Sequence, residues 1–317
     1  MEQNTIDWLK LHGSIASGVK ICSLVSRFGT ASALFAASET ELLDSGLADK
    51  RILAALKTAD EQKAKETAAL CEKNDWRVIT PDSPLYPPAL KQLRDYPLAL
   101  FCSGEIGFLS AEPKISVVGT REPSEKALMA AYLLGGCLSS LGVVTVSGGA
   151  VGIDAAAHEG ALTGNGGTLA VLGCGFGSDY LPENSFMRGR IQKNGLLLTE
   201  LAPFTEPSRF TFPKRNRIIA ALSDITVVAE SGEKGGSLIT ADYARKYGKK
   251  VFCFTENIVS SPGCRTLVEN GASEFSMPGQ LLGFCRTPIP DNKRDDYYLS
   301  YSLVNNGVRE ANIIKPS

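Results

Sequence analysis

The chain has 317 residues, of which 44% are hydrophobic and 21% are charged, and its formal net charge is −1. This length predicts two domains, or one large domain with an appendage, and the composition is that of a folded globular protein. A net charge near zero excludes a globally basic surface, so any interface with nucleic acid must be a local basic patch. Eight cysteines without a C-x-x-C pair, together with only two histidines, exclude the usual metal-ligand spacings. We therefore expect a protein of the reducing cytoplasm with no metal, no cofactor and no membrane span.

The first part of the chain, residues 1–70, predicts a small helical module of the helix-hairpin-helix (SAM-like) kind. Four apolar residues repeat at helical spacing before Gly29, which ends the helix: Ile21, Leu24, Val25 and Phe28. A second helix starts at Ser38, and residues 49–70 predict one longer helix. Such a module can contact a DNA backbone, or it can serve as a protein contact or a spacer, and the residues do not decide between these roles.

Residues 71–287 predict an α/β domain with an extended Rossmann-like, doubly wound, mostly parallel sheet. After a strand over 76–80 and a proline-rich lead-in, apolar strands alternate with helices, which is the pattern of a parallel sheet. The predicted strands are 115–118, 143–146, 168–172, 196–199, 225–228 and 251–254. The predicted helices are 124–141, 154–162, 183–194, 215–222 and 238–246. Residues 288–317 predict a short tail that is not long enough to form a winged helix.

Glycine-rich turns interrupt the chain at 119–121, 147–154, 173–177 and 231–237, and most of them directly follow a predicted strand. The carboxyl ends of parallel strands meet at one edge of the sheet, which is where such folds bind ligands. Glycine allows an anion to approach the backbone, and an arginine offers two donors to a phosphate. The candidate phosphate contacts in these turns are Gly119, Thr120, Arg121, Ser147, Gly148, Gly149, Lys234, Gly236 and Ser237.

Each turn also has a purely structural interpretation. Arg121 can be an ordinary surface arginine, Asp154 fits a helix N-cap better than a catalytic acid, and Ser237 can cap the helix that follows it. The glycines at 173, 175 and 177 do not have the spacing of a dinucleotide-binding fingerprint, and no Walker A lysine pattern is present. The sequence therefore does not predict a nucleotide cofactor.

The segment 212–217 combines three cations, an amide and an aromatic ring before an apolar run. Its candidate contacts are Phe212, Lys214, Arg215, Asn216 and Arg217, with Arg209 and Phe210 just before them. Cations neutralise phosphates, and aromatic faces stack on bases without sequence preference, so this segment predicts contact with a polyanion. The alternative is a basic loop with a buried phenylalanine, in which one of the cations, with Arg217 pointing inward, forms an ion pair with Glu200 or Glu230.

The motifs, taken in their order along the chain, resemble those of the DNA-processing protein A (DprA/Smf) family. The matching stretches are 117–121, 146–158, 169–173, 198–200, 212–219 and 232–240. The resemblance implies an extended Rossmann fold that binds single-stranded DNA (ssDNA) and is not an enzyme. It further implies a homodimer that protects incoming strands in natural transformation and loads a RecA-type recombinase onto them. Carried over by position, the phosphate-contacting residues are Gly119, Arg121, Ser147, Gly148, Gly149, residues 212–217, Gly236 and Ser237.

Two departures from the family pattern affect these expectations. Many members end in a winged helix, which the tail after Pro288 is too short to form. Residues 255–258 replace a Pro-Gly-Asn stretch that is common in the family, which brings the acidic Glu256 near the expected site.

Two other functions remain open at this point. A nucleoside-monophosphate hydrolase of the lysine-decarboxylase-like Rossmann class also has a Gly-Gly turn before a helix. In this chain the corresponding stretch, 235–242, lacks the third glycine of that class, and Asp242 is a displaced candidate acid. The third possibility is a protein-interaction scaffold, for which the dimer and the helical module matter more than DNA.

Overall fold

A computed structural model describes residues 2–14, 19–178 and 185–286 of the chain. The predicted tail, 288–317, and the first two residues of the predicted helix 183–194 lie outside the described residues. Within the described ranges, no helix is both long and apolar enough to cross a membrane.

In residues 2–14 and 19–73, the described helices are α1 (Gln3–Ser14), α2 (Val19–Phe28), α3 (Ala31–Ala36), α4 (Glu39–Asp44), α5 (Lys50–Lys57) and α6 (Glu61–Lys73). The prediction of one helix over residues 49–70 is wrong, because two N-caps divide this stretch. Asp49 accepts a hydrogen bond from the backbone of Ile52 and starts α5, and Asp60 accepts one from Lys63 and starts α6. A short aspartate side chain satisfies the free amides of a new first turn, which favours a helix start at each of these positions.

One nine-stranded sheet forms the centre of the molecule. Its strands are β1 (Arg77–Ile79), β2 (Leu100–Gly104), β3 (Lys114–Val118), β4 (Val144–Ser147), β5 (Thr168–Val171), β6 (Leu196–Thr199), β7 (Ile225–Val228), β8 (Lys250–Phe254) and β9 (Ser273–Phe275). They lie in the order β1-β2-β6-β5-β4-β3-β7-β8-β9. Strands β3 to β9 pair in parallel, whereas β2 is antiparallel to β6 and β1 is antiparallel to β2. The predicted mostly parallel α/β sheet is confirmed, and the sequence pattern missed β2 and β9.

The remaining helices connect the strands and cover both faces of the sheet. They are α7 (Pro88–Lys91), α8 (Gly107–Ser110), α9 (Glu125–Ser140), α10 (Ile153–Ala161), α11 (Ser185–Asn194), α12 (Thr211–Leu222), α13 (Gly236–Lys246), α14 (Pro262–Glu269) and α15 (Gly279–Leu282). The chain runs outward from β3 to β6, crosses back through α12 and continues outward on the other side from β7. The helices that follow β3 and β7, α9 and α13, pack in different apolar clusters on opposite faces of the sheet, and such a switch point opens a crevice at the carboxyl ends of the strands.

Close helix packing beside this crevice depends on glycine. A Cβ atom at Gly160 of α10 would lie 1.9 Å from the carbonyl oxygen of Tyr132 in α9, and one at Gly135 would lie 2.2 Å from the carbonyl oxygen of Ala157. The backbones of α9 and α10 are thus in direct contact, which fixes the position of α10 relative to α9.

The N-terminal helices pack directly on the sheet domain. Side chains of α2 and α3 belong to the same buried apolar cluster as side chains of β4, β5 and β6. Polar contacts add to this packing: His12 Nε2 lies 2.8 Å from the carbonyl oxygen of Glu200, and Cys22 Sγ lies 3.5 Å from that of Tyr96. The first helices are therefore attached to the sheet domain by both apolar and polar contacts.

Candidate functional site

The turn after β3 forms the centre of the carboxyl edge. The backbone amide of Thr120 donates to Glu230 after β7 (2.9 Å), and the amide of Ile153 donates to the carbonyl oxygen of Thr120 (3.2 Å). A Cβ atom at Gly119 would lie 2.5 Å from the Ile153 side chain, so the turn fits closely only with glycine there. The backbone of this turn is thereby fixed, while the side chain of Arg121 is exposed.

The structure brings Arg121 next to Phe212, although 91 positions separate them in the sequence. The guanidinium carbon of Arg121 lies 5.3 Å from the centroid of the Phe212 ring. The ring also contacts Gly173 after β5, where a Cβ atom would lie 2.6 Å from the ring. A half-buried aromatic face and an exposed guanidinium are therefore held together at the crevice. This pair offers a stacking surface and a phosphate donor side by side.

Arg215 is buried and connects the loops after β4 and β5. Its Nη1 atom donates to the carbonyl oxygen of Gly148 at 2.6 Å and also to that of Val171. The guanidinium lies over the backbone, since a Cβ atom at Gly148 would be 2.2 Å from Nη1. Ser147 is buried too, and its hydroxyl donates to the carbonyl oxygen of Val117 at 2.6 Å. Hydrogen bonds from these two buried side chains thus hold the glycine turn after β4 in place.

Asp154 does not cap α10, so the N-cap interpretation is wrong. Gly152 occupies the N-cap position, and the buried Asp154 carboxylate reaches back to accept from the backbone amide of Gly148 at 3.1 Å. Burial raises the pKa of Asp154 above its ordinary value, while the charge of Arg215 and the hydrogen bond from the Gly148 amide oppose this rise. A carboxyl engaged with its own loop in this way is poorly placed to serve as a catalytic acid.

Arg217, in the middle of α12, forms a buried ion pair. Its Nη2 atom lies 2.6 Å from Glu200 Oε2, and its Nε atom lies 3.1 Å from Asp95 Oδ2. The interpretation in which one cation of the segment pairs with Glu200 is therefore confirmed. Asn216 is also buried and donates to the carbonyl oxygen of Gly236 at 3.1 Å, which joins α12 to the start of α13.

Lys214 is the cation of α12 that reaches toward solvent. Its side chain is 38% exposed, with Nζ 3.9 Å from Glu200 Oε2. The helix begins at Thr211 and not at Arg215 as predicted, so Phe212 and Lys214 both lie in its first turn.

The turn before α13 is partly buried and partly open. Lys234 and Gly236 are exposed, whereas Ser237 is buried and donates to Ser231 Oγ at 2.9 Å. Gly235 is the N-cap residue, so the alternative in which Ser237 caps this helix is wrong.

The predicted contacts thus separate into two groups. The exposed or half-exposed ones are Gly119, Thr120, Arg121, Phe212, Lys214, Lys234 and Gly236. The buried ones are Ser147, Gly148, Gly149, Arg215, Asn216, Arg217 and Ser237. The first group is available to a ligand, and the second group holds the loops that carry the first.

Sequence reasoning missed Arg188 of α11, which lies at the same edge. Its Nη2 atom is 3.6 Å from the sulfur of Cys174, and it lines a narrow depression together with Gly149, Gly173 and Phe212. No signal in the sequence identifies this arginine, because it lies in a helix and away from every strand end. Burial raises the pKa of the Cys174 thiol, which favours its interpretation as an inert side chain.

Glu256 lies on a segment that is attached to the end of β7. The neighbouring Asn257 donates to the carbonyl oxygen of Ala229 at 3.1 Å. The Glu256 carboxylate itself lies 3.2 Å from Lys126 Nζ of α9, and both side chains are exposed. Among the residues that the structure describes, no group of three or more His, Cys, Asp or Glu side chains is arranged to hold a metal ion.

The fold and the site define a Rossmann-type α/β protein whose carboxyl edge carries exposed cations and an aromatic face. The model of the DNA recombination-mediator protein A family matches residues 77–285, and the chain belongs to this family.

Relatives of known sequence support this membership. The chain is 36% identical to the DNA processing protein DprA of Bacillus subtilis over 224 residues, which are 69% of this chain and 75% of that protein. It is 40% identical to the DprA of Streptococcus pneumoniae over 190 residues, which are 59% of this chain and 66% of that protein. It is 37% identical to the protein Smf of Synechocystis over 209 residues, 64% of this chain, but it spans only about half (52%) of that relative.

Two solved structures are similar to this one. The X-ray structure of DprA from Streptococcus pneumoniae aligns with a TM-score of 0.74 and 28% identity, covering 89% of this chain and 98% of that chain. DprA from Helicobacter pylori, whose structure was described for its single-stranded DNA binding mode, aligns with a TM-score of 0.60 and 30% identity. That alignment covers 65% of this chain and 93% of the other.

Proposed function

We propose that this protein binds single-stranded DNA along the carboxyl edge of its sheet and acts in DNA processing during natural transformation or recombination. The observation that carries the proposal is the contact between Arg121 and Phe212, 5.3 Å apart at the crevice. Bases stack on aromatic faces whatever their sequence, and an adjacent cation neutralises the phosphate that follows the base. The similarity to the Helicobacter pylori protein with a described single-stranded DNA binding mode supports the same ligand.

The proposed contacts are the exposed group at this edge, with Arg121, Phe212 and Lys214 as its main members. The predicted contacts at Arg215 and Arg217 act indirectly in this proposal, since both side chains are buried against protein groups. Gly148 and Gly149 are buried beneath Arg215 and Leu172, so they also act indirectly, by shaping the loop after β4.

We propose binding without catalysis. Glu200 and Asp154 are carboxylates beside the crevice, and each is buried and engaged with a protein partner. Asp242, the displaced acid of the hydrolase alternative, lies exposed in the middle of α13. Release of free base from a nucleoside monophosphate by the purified protein would contradict this proposal and favour the hydrolase.

The test compares oligonucleotide affinity in two double variants by fluorescence anisotropy over a range of salt concentrations. Arg121→Ala with Lys214→Ala removes two proposed phosphate contacts. Each such contact contributes about 0.7 to the salt slope for a single strand, so the slope should fall by up to about 1.4 and the affinity by roughly tenfold or more.

The matched control, Lys193→Ala with Lys246→Ala, removes the same charge. These lysines lie in the last turns of α11 and α13, at the opposite edge of the sheet. Equal affinities and salt slopes for the two double variants would refute the proposed interface.

We further propose that the protein works as a homodimer that delivers the bound strand to a RecA-type recombinase. The description of its family as recombination mediators supports a partner of this kind. Sedimentation would test the dimer, and the rate of recombinase filament formation on a coated strand would test delivery. If the Arg121→Ala, Lys214→Ala variant bound the recombinase normally and still promoted recombination, the scaffold alternative would replace strand delivery.

A further inference from the structure

The N-terminal helices and the sheet domain line an open cavity of about 640 Å³ beside the candidate interface. Its walls come from α1, the start of α6, the loop after β6 and α12. Lys214 lines this cavity and also belongs to the exposed group at the carboxyl edge, so the two sites meet at this residue. The volume lies within the range of roughly 300–1,000 Å³ that is usual for ligand pockets.

Positive charge dominates the lining. Lys10, Lys63 and Lys214 contribute three ammonium groups, against the carboxylates of Asp60 and Glu200. Glu200 is already paired with the buried Arg217 at 2.6 Å, which offsets its charge from behind the wall.

The second carboxylate is also engaged. Asp60 accepts from the backbone amide of Lys63 as the N-cap of α6, at the positive end of that helix. Three ammonium groups therefore line the cavity against two carboxylates, and this excess of positive charge favours an anion. Lys214 Nζ lies 3.9 Å from Glu200 Oε2, and Lys10 Nζ lies 4.2 Å from the centroid of the Phe35 ring.

The end of α1 is held in place at this cavity. His12 Nε2 lies 2.8 Å from the carbonyl oxygen of Glu200, and because that oxygen only accepts, Nε2 carries the proton. Burial lowers the pKa of His12, so the ring is neutral and adds no charge to the lining. Lys10 is two residues before His12, so it is carried by a helix end that is fixed to the sheet domain.

We propose that this cavity binds phosphate groups of the same single strand, which continues from Arg121 and Phe212 past Lys214 to Lys10 and Lys63. The proposal rests on the proposed function, and it extends the strand path from the sheet edge onto the N-terminal helices. It also assigns a role to the helical module: the module forms one wall of the DNA path and is not only a spacer.

The experiment measures oligothymidylate binding to the full chain by anisotropy, with strands of about 6 and about 20 nucleotides. The shorter strand is near the lower end of the usual range of single-strand site sizes, and the longer strand exceeds the upper end of that range. The test variant is Lys10→Gln with Lys63→Gln, and the control is Lys65→Gln with Lys73→Gln. The control removes two exposed lysines from α6 that do not line the cavity.

For the long strand, the Lys10→Gln, Lys63→Gln variant should bind about 5- to 20-fold more weakly than the control, with a salt slope lower by up to about 1.4. For the short strand, which the carboxyl edge alone can hold, the two variants should bind alike. Equal binding of the long strand by the two variants would overturn the proposal, while a loss of affinity in Arg121→Ala would still support the proposed function. Wild-type protein that binds neither strand would instead overturn the proposed function itself.

A free nucleotide offers the same phosphate chemistry as a strand. Binding of thymidine monophosphate, measured by calorimetry, separates the two sources. If the Lys10→Gln, Lys63→Gln variant lost affinity for the monophosphate and kept full affinity for the long strand, the cavity would be a nucleotide site and the proposed strand path would be wrong.

Discussion

Replacing Arg217 by methionine tests whether this arginine holds the fold or contacts DNA. The sequence pattern places Arg217 among the basic contacts of the segment 212–217, whereas the structure leaves its side chain only 2% exposed. Its partner Glu200 is 6% exposed, and the two charged groups are 2.6 Å apart. Methionine fills similar space without charge, so the substitution leaves the Glu200 carboxylate buried without this cation.

The expected loss of stability follows from the burial of this pair. Two unit charges 2.6 Å apart attract each other by about 6 kcal/mol at an effective dielectric constant near 20. Desolvation of both groups consumes part of this attraction when the protein folds. Removing one partner of a buried pair costs about 3–5 kcal/mol, because the remaining charge keeps its desolvation penalty. The contact with Asp95 adds little, since that carboxylate is 37% exposed and water replaces the lost cation.

Urea unfolding measures this loss. With a slope of roughly 2–3 kcal/mol per molar urea, a loss of 3–5 kcal/mol lowers the unfolding midpoint by about 1–2.5 M. The double variant Glu200→Leu with Arg217→Met removes both charges and should recover most of the midpoint, as apolar replacements of buried pairs often do. An unchanged midpoint in Arg217→Met, together with a clear loss of affinity for single-stranded DNA, would refute the structural role and restore this arginine as a direct contact.

Three further predictions concern stability and binding. Burial lowers the pKa of His158 to about 3, so protonation favours the unfolded chain and stability falls as the pH drops from 6.5 toward 3. His158→Gln should flatten this fall in urea midpoints measured across that window, and an unchanged slope would contradict it. Gly160→Ala should lower the unfolding free energy by about 1–3 kcal/mol, since the added Cβ would lie 1.9 Å from a carbonyl oxygen. The matched Gly136→Ala, with its nearest atom at 3.4 Å, should be tolerated, and equal midpoints would contradict the close helix packing. Glu256→Gln should strengthen oligonucleotide binding by no more than a few-fold, because Lys126 already pairs with this carboxylate. A larger gain in affinity, measured by anisotropy, would contradict this prediction.

The sequence predicts the parallel part of the sheet well because burial and turns agree there. Apolar runs such as 196–199 and 225–228 are buried on both faces and end at glycine or polar residues, so their limits match β6 and β7. The edge strands follow a weaker pattern. Strand β2 contains part of the apolar run 98–102, but this run directly follows a proline-rich lead-in that hides it, and β9 has only three residues.

The start of α12 was predicted too late because of Pro213. A proline usually ends a helix, yet in a first turn its missing N–H costs nothing, since the amides there have no partner within the helix. The helix therefore begins at Thr211 and includes Phe212 and Lys214. This shift changes the character of the site, since an irregular loop would not fix the direction of either side chain.

The burial of the two arginines was the main feature that charge counting did not predict. Arg215 finds its acceptors at Gly148 and Val171, which are 67 and 44 positions away, and only the folded sheet brings them together. Arg217 was more accessible to prediction. Glu200 follows a buried strand, and a carboxylate in that position requires a cation nearby.

The basic segment therefore has two roles that its composition does not separate. Arg215 and Arg217 hold the first turns of α12 against the loops after β4, β5 and β6, and their charges are compensated or bonded inside the protein. Phe212 and Lys214 lie on the same turns and inherit a fixed orientation, which reduces the entropy lost when a strand binds. The salt dependence of binding should then reflect exposed cations such as Arg121 and Lys214, and the buried arginines should not contribute to it. A substitution at Arg215 should accordingly lower affinity with little change in the salt slope, because it loosens the loops and leaves the number of phosphate contacts the same.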